Sequence, residues 1–216
     1  MKKVKIFPAL TFCSFGECRN RITPRTEKEL RKMKGRDVLK DTFCDECVES
    51  KFTQKGSPKI LSHWRRKIEK KAETVTRIIY GDEIAKERTQ ALKTVKFIPT
   101  LRKYKNLRTG IVGQYFGNNR IELNVRKCST ETQFISVYVH EISHHFVFWK
   151  KENKSHGEEF VRFIRALIHE LEFEITHCHR KKNGDIRWDA IMDIKLPPRK
   201  HSNFASMEKM EKMEKV

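Results

Sequence analysis

The sequence predicts an α+β fold, with helices packed on a small sheet and a small zinc-binding module in front. Three observations predict it. Apolar residues recur at helical spacing in three long stretches between Leu61 and Leu171. Residues 94–126 are instead β-prone, with Ile121, Leu123 and Val125 alternating against Glu122 and Asn124. Near the start, two cysteine pairs bracket 25 residues, a spacing that suits a metal site.

The first element is that module, residues 8–56. Cys13-x4-Cys18 and Cys44-x2-Cys47 predict a tetrahedral Cys₄ structural zinc site. A segment with so few apolar residues gains its missing folding energy from a metal. Between the pairs, Glu27 to Lys34 is a short charged helix candidate. The lone Cys128 and Cys178 read as buried thiols.

A protein core over residues 57–175 follows. Ser57-Pro58 opens a helix, with Ser as N-cap and Pro at the first helical position. Leu61, Trp64, Ile68, Val75 and Ile79 form its apolar stripe, and Gly81 stops it. Its outer face carries Arg65, Arg66, Lys67, Lys70 and Lys71, either a solvated face or one that tracks phosphates. A second helix runs from about Asp82 to Leu92. Strands are expected at Thr94–Ile98, Ile111–Phe116 and Arg120–Val125, with a basic loop at Arg102, Lys103, Lys105 and Arg108 and a turn at Gly117-Asn118-Asn119.

A helix from Thr130 to Trp149 has a core stripe of Ile135, Val139, Ile142 and Phe146. The next begins at Ser155, where Ser155 and Glu158 fit a capping box and Phe160, Phe163, Leu167 and Leu171 form a stripe. Residues 176–216 read as an irregular, basic C-terminal extension. It ends in Met-Glu-Lys triplets at 207, 210 and 213, which read as a frayed, partly disordered tail.

The chemistry centres on His140-Glu141-Ile142-Ser143-His144. Histidines four apart on a helix share a face, so His140 and His144 can hold one catalytic Zn²⁺. Glu141 between them is the general base for a metal-activated water. They lie beside the core stripe, which leaves them facing a cleft. A catalytic zinc needs a third protein ligand and keeps one position for water. Lys150 occupies the position six residues after His144. Glu158, Glu159 and Glu170 are possible, and His156, at a helix start after a short polar loop, is the best candidate. His145 points about 100° around the helix from His144 and does not share its metal. Tyr115, Tyr138, His177 and His179 are available as oxyanion donors. The strand Arg120–Val125 offers an edge for an extended substrate.

Charge is unevenly spread. The chain has 47 Lys and Arg against 28 Asp and Glu, a net +19. Residues 111–175 carry 8 basic and 9 acidic residues, leaving 39 and 19 elsewhere. A neutral catalytic segment between basic flanks points to a polyanionic partner, nucleic acid, with DNA placed before RNA. No membrane span and no signal peptide are expected, so the predicted location is intracellular and the cysteines reduced.

Tyr115 to Asn124, then His140-Glu-Ile-Ser-His144, then His156-Gly157-Glu-Glu-Phe160 resemble the SprT-like zinc metalloproteases, which include the Spartan proteases of DNA–protein crosslink repair. The resemblance spans about residues 94–171 and implies a zincin-like core with the metal helix beneath a small antiparallel sheet. It implies His156 as the third zinc ligand. Bacterial members commonly carry a zinc ribbon after the core, whereas here the four cysteines precede it.

Together these readings predict a zinc-dependent endopeptidase whose protein substrates are bound to nucleic acid, or whose activity nucleic acid regulates. The other reading is a nucleic-acid-binding zinc-finger regulator whose metalloprotease-like core is not catalytic.

Overall fold

Helix α4 (Glu131–Phe148) is the axis about which the other elements are arranged. The computed structural model describes residues 12–22, 29, 32, 39–40, 42–92, 94–98, 112–116, 119–125, 127–148 and 156–198. Among them lie four further helices: α1 (Asp45–Lys51), α2 (Lys59–Tyr80), α3 (Asp82–Ala91) and α5 (Glu158–Glu170). Five strands accompany them: β1 (Thr94–Ile98), β2 (Gly113–Phe116), β3 (Arg120–Asn124), β4 (Glu174–Arg180) and β5 (Ile186–Lys195). The class is α+β, as expected.

The stripe of α2 is largely as the periodicity predicts: Leu61, Trp64, Ile68, Ala72 and Val75 are buried. Gly81 ends the helix at φ 94°, a backbone conformation open to glycine at little cost. Its start differs from expectation. Ser57 donates its backbone N–H to Thr53 Oγ1 at 3.3 Å, so it closes the preceding turn. Pro58 takes the N-cap position, and Lys59 is the first helical residue.

The first sheet has the order β1-β3-β2. β2 pairs antiparallel with β3, Tyr115 opposite Ile121. β1 pairs parallel with β3, Phe97 opposite Leu123, so the sheet is mixed. β3 therefore sits at the centre with both edges paired, which removes it as the expected edge for substrate. The basic loop from Arg102 to Arg108 lies outside the described residues, as do Gly117 and Asn118 of the turn.

Helix α4 starts where Thr130 Oγ1 accepts the Gln133 N–H at 3.2 Å and Gln133 Oε1 accepts the Ser129 N–H at 2.8 Å, satisfying two donors at the helix start. Fourteen of its residues are buried. The helix is thus covered nearly all round, not split between a core face and a cleft face as the stripe suggests. α2, α5, β2, β3 and β5 provide that cover.

The cysteine segment joins the same apolar core. Phe15, Phe43, Phe52 and Phe134 form a chain of ring contacts at 5.4, 5.1 and 6.0 Å, ending on α4. The Gly16 N–H donates to the Ser129 carbonyl. Of the charged helix candidate, Glu29 and Lys32 are described and helical; its other residues lie outside.

Beyond Ile175 the chain is not irregular. β4 and β5 form an antiparallel hairpin, anchored to α4 where Ser136 Oγ donates to the Ile191 carbonyl at 3.1 Å. Ile191 and Ile194 are buried. The Met-rich end lies outside the described residues. Among those described, no helix is long and apolar enough to cross a membrane.

Candidate metal centre

One turn of α4 brings the His140 and His144 Nε2 atoms to 3.2 Å from each other. His156 Nε2 lies 3.0 Å from His144 and 3.1 Å from His140. Nitrogens bound tetrahedrally at the usual zinc distance lie roughly 3.3 Å apart. Three imidazole donors at nearly that separation therefore fit Zn²⁺ in both chemistry and spacing.

Phe160 holds the rings. Its centroid is 5.1 Å from that of His140, 4.5 Å from His144 and 4.9 Å from His156. Phe148 stacks against it at 6.2 Å. The sequence places Phe160 in a core stripe and gives no sign of this second role. His144 is buried, His140 half-buried and His156 exposed, so the cluster opens to solvent on the His156 side.

His156 precedes α5 and is not in its first turn. Gly157 is the N-cap, with no side-chain cap, so Glu158 does not act in the expected capping box; Ser155 lies outside the described residues. The first turn is tied down from elsewhere. Tyr80 at the end of α2 donates its hydroxyl to Glu159 Oε1 at 2.7 Å. Glu170 pairs with Lys71 at 2.8 Å, and that ammonium holds its carboxyl below the usual value.

Glu141 is buried, and burial pushes its carboxyl up to about 8, opposed by the Tyr115 backbone N–H. That hydrogen bond requires β2 to lie close to α4. Gly113 permits the approach: a Cβ there would sit 2.5 Å from Val137 Cγ1 and 3.0 Å from Glu141 Oε1. The Asn124 N–H donates to the Val112 carbonyl, so by antiparallel alternation the backbone groups of Gly113 and Tyr115 point away from β3. The sequence reading passes over both features: Gly113 falls inside the expected strand Ile111–Phe116, and its partner on α4 cannot be read from spacing.

Two of the oxyanion candidates face the core. Tyr115 hydroxyl lies 3.3 Å from His145 Nδ1, and Tyr138 donates to Glu69 at 2.8 Å. His145 Nε2 is 2.7 Å from the Arg88 carbonyl, and burial lowers its pKa. It is held away from the cluster, as its helix position predicts. His177 and His179 are exposed on β4.

The four cysteines form a second group. Each offers a sulfur within 4.8 Å of all the others, and Cys18 and Cys44 Sγ are 3.7 Å apart. Thiolates bound tetrahedrally to zinc lie about 3.8 Å apart. Cys13 and Cys18 flank a turn containing Gly16 at φ 55°, while Cys44 N-caps α1 and accepts the Cys47 N–H at 3.5 Å. Burial raises the Cys44 thiol, but the Cys47 N–H and Asn20 amide outweigh it and bring the value below the ordinary one. Burial drives the Cys13 and Cys47 thiols upward. Cys128 is buried and pushed up to about 12, while Cys178 is half-buried on β4.

A histidine pair on one helix, a glutamate between them and a third histidine ahead of the next helix form a three-histidine group that could hold a metal ion, on an α+β scaffold. The chain belongs to the SprT-like family, whose profile matches residues 15–179. That match takes in all three histidines and Cys18, Cys44 and Cys47, a wider span than the motif resemblance. Membership supports a metalloprotease-like character. No curated protein and no solved structure matches the chain.

Proposed function

We propose that this protein is a zinc-dependent endopeptidase acting on proteins bound to nucleic acid or regulated by nucleic acid. The observation that carries the catalytic part is the convergence of three Nε2 atoms within 3.0–3.2 Å, with Glu141 beside two of the histidines in sequence. His140, His144 and His156 would hold Zn²⁺, which supplies a Lewis acid and an acidified water. Glu141 takes a proton from the attacking water at its carboxylate and delivers it to the leaving amine. The Tyr115 N–H fixes that carboxylate. Among the described residues, β2 has a strand partner on one side only. Its outward backbone at Gly113 gives an extended substrate a place to align.

The nucleic-acid part rests on charge. Exposed Arg66 and Lys70 on α2, and Arg180, Lys182 and Arg187 on the hairpin, are basic residues outside the neutral segment. Their placement supports phosphate contact. The four-cysteine group would hold a second, structural zinc.

Metal analysis and proteolysis test this together. Wild-type protein is expected to contain zinc at both groups and to cut an unfolded protein substrate, faster with DNA present. Glu141→Gln should retain zinc while cleavage falls by about 10²–10⁴-fold. Unchanged cleavage in Glu141→Gln would refute the mechanism. Failure of the His140, His144 and His156 variants to lose zinc would refute the site. DNA binding that needs Cys44 and Cys47, in a protein that cuts nothing, would favour the non-catalytic regulator instead.

A further inference from the structure

Along the outer face of α5 runs a groove of about 870 Å³ that begins at His156. One wall is α2, contributing Val75, Ile78 and Ile79, and the other is the hairpin, contributing Lys181, Ile186 and Trp188. Val161 and Ala166 line the stretch between them. Ile78 is 74% exposed, unusual for an aliphatic residue beside other apolar side chains. Cations stand among these apolar groups. Arg162 and Lys181 have no ion-pair partner among the described residues, and Arg165 rests over the Trp188 ring at 5.8 Å. Of the two lining carboxylates, Glu170 is already paired with Lys71.

We infer that this groove is a second docking site for the substrate polypeptide, selecting segments that combine apolar and acidic residues. The inference rests on the peptidase reading for what happens beside His156, but the groove's chemistry stands apart from it. A lining surface that is mostly apolar, with Arg162, Arg165 and Lys181 set in it and Glu158 at its His156 end, complements apolar side chains flanked by carboxylates. It suits nucleic acid poorly. A phosphate at every nucleotide would be brought over apolar surface, and Trp188, the largest aromatic ring in the lining, already carries Arg165. The position adds the second argument. His156 belongs to both the histidine cluster and the groove lining, so the groove adjoins the proposed site of cleavage. The 13-residue α5 is about 20 Å long, matching about six residues of extended chain.

The test uses full-length Glu141→Gln protein loaded with zinc. The probe is a fluorescein-labelled twelve-residue peptide with leucine and phenylalanine interspersed with glutamate, read by anisotropy. Binding is expected to weaken at least tenfold in Arg162→Glu/Lys181→Glu, where charge is reversed, and in Ala166→Trp, where the groove is filled. Zinc content and melting temperature should be unchanged in both. Equal binding by the variants, preference for the lysine counterpart of the peptide, or displacement of a labelled single-stranded DNA in place of the peptide would each overturn the inference. So would a wild-type dimer that Ala166→Trp dissociates, because the groove would then belong to a second copy. Peptide binding without cleavage by the wild type would sink only the peptidase reading. Cleavage that ignores these substitutions would sink only the groove.

Discussion

At the scale of single residues, the site depends on side chains that do not themselves bind or react. Phe160 touches all three imidazoles, and so limits their rotation when no ligand is present. Removing it should leave each histidine in place but broaden its orientation. Phe160→Ala is therefore expected to weaken zinc binding at the histidine site by about 10–100-fold, the usual effect of losing a group that orients ligands. A stability loss of about 3–5 kcal/mol should accompany it, from the buried volume removed. Phe160→Leu keeps most of the packing but not the flat ring face. It should recover much of the stability and less of the affinity. Competition with a chromophoric chelator and denaturant unfolding measure the two separately. Equal recovery of both would mean that Phe160 acts through packing alone.

At the scale of elements, the motif helix and its partner were legible because their apolar residues keep a helical period and the histidines stand at fixed offsets from them. Strand β3 was legible from its period of two, although Glu122 and Asn124 on its other face are buried as well, so it does not have one covered and one open face. The last hairpin was not legible. Its register shifts between Ile175 and His177, again at Cys178 and again before Arg180. Each irregularity breaks the alternation by which a strand is read. Sheet order was likewise hidden, because β1 joins β3 in parallel through residues distant in sequence. That order makes β2 the strand beside Glu141, and the fit of strand to helix turns on Gly113. Gly113→Ala brings a methyl into contact with Val137 and Glu141, so β2 must retreat from α4. A cost of about 1–3 kcal/mol in stability is expected. Cleavage should fall further than that loss explains, because the Tyr115 N–H retreats with the strand. The comparison to make is kcat at a temperature where wild type and variant are both fully folded. Unchanged turnover there would show that the Tyr115–Glu141 contact has no part in catalysis.

At the scale of the whole molecule, two groups that could each hold a metal ion share one core. The phenyl chain from Phe15 to Phe134 leads from the cysteine turn to the helix that carries His140 and His144. Gly16 is bonded to Ser129 just ahead of that helix. The spacing of the cysteines predicts their convergence, but sequence has no means of showing that their segment buries its rings against α4. The consequence concerns stability. A structural zinc site contributes roughly 10 kcal/mol or more in small domains, comparable to the 5–15 kcal/mol that separates most folded domains from unfolding. Because the segment and α4 share aromatic contacts, losing the cysteine metal should weaken the helix as well. Cys47→Ser is therefore expected to lower the melting temperature in one cooperative transition, monitored by far-ultraviolet circular dichroism and by tryptophan emission. Trp64 lies on α2, Trp188 on the hairpin, and Trp149 follows α4 in sequence, all outside the cysteine segment, so coincident curves would report coupling across the core. Cleavage should fall with folded fraction even though the three histidines are intact. Cys128→Ser is the control, since Cys128 is a buried thiol outside the cluster. A separate early transition for Cys47→Ser, leaving the tryptophan signal and cleavage unaltered, would show that the cysteine segment folds by itself and that its contact with α4 is energetically idle.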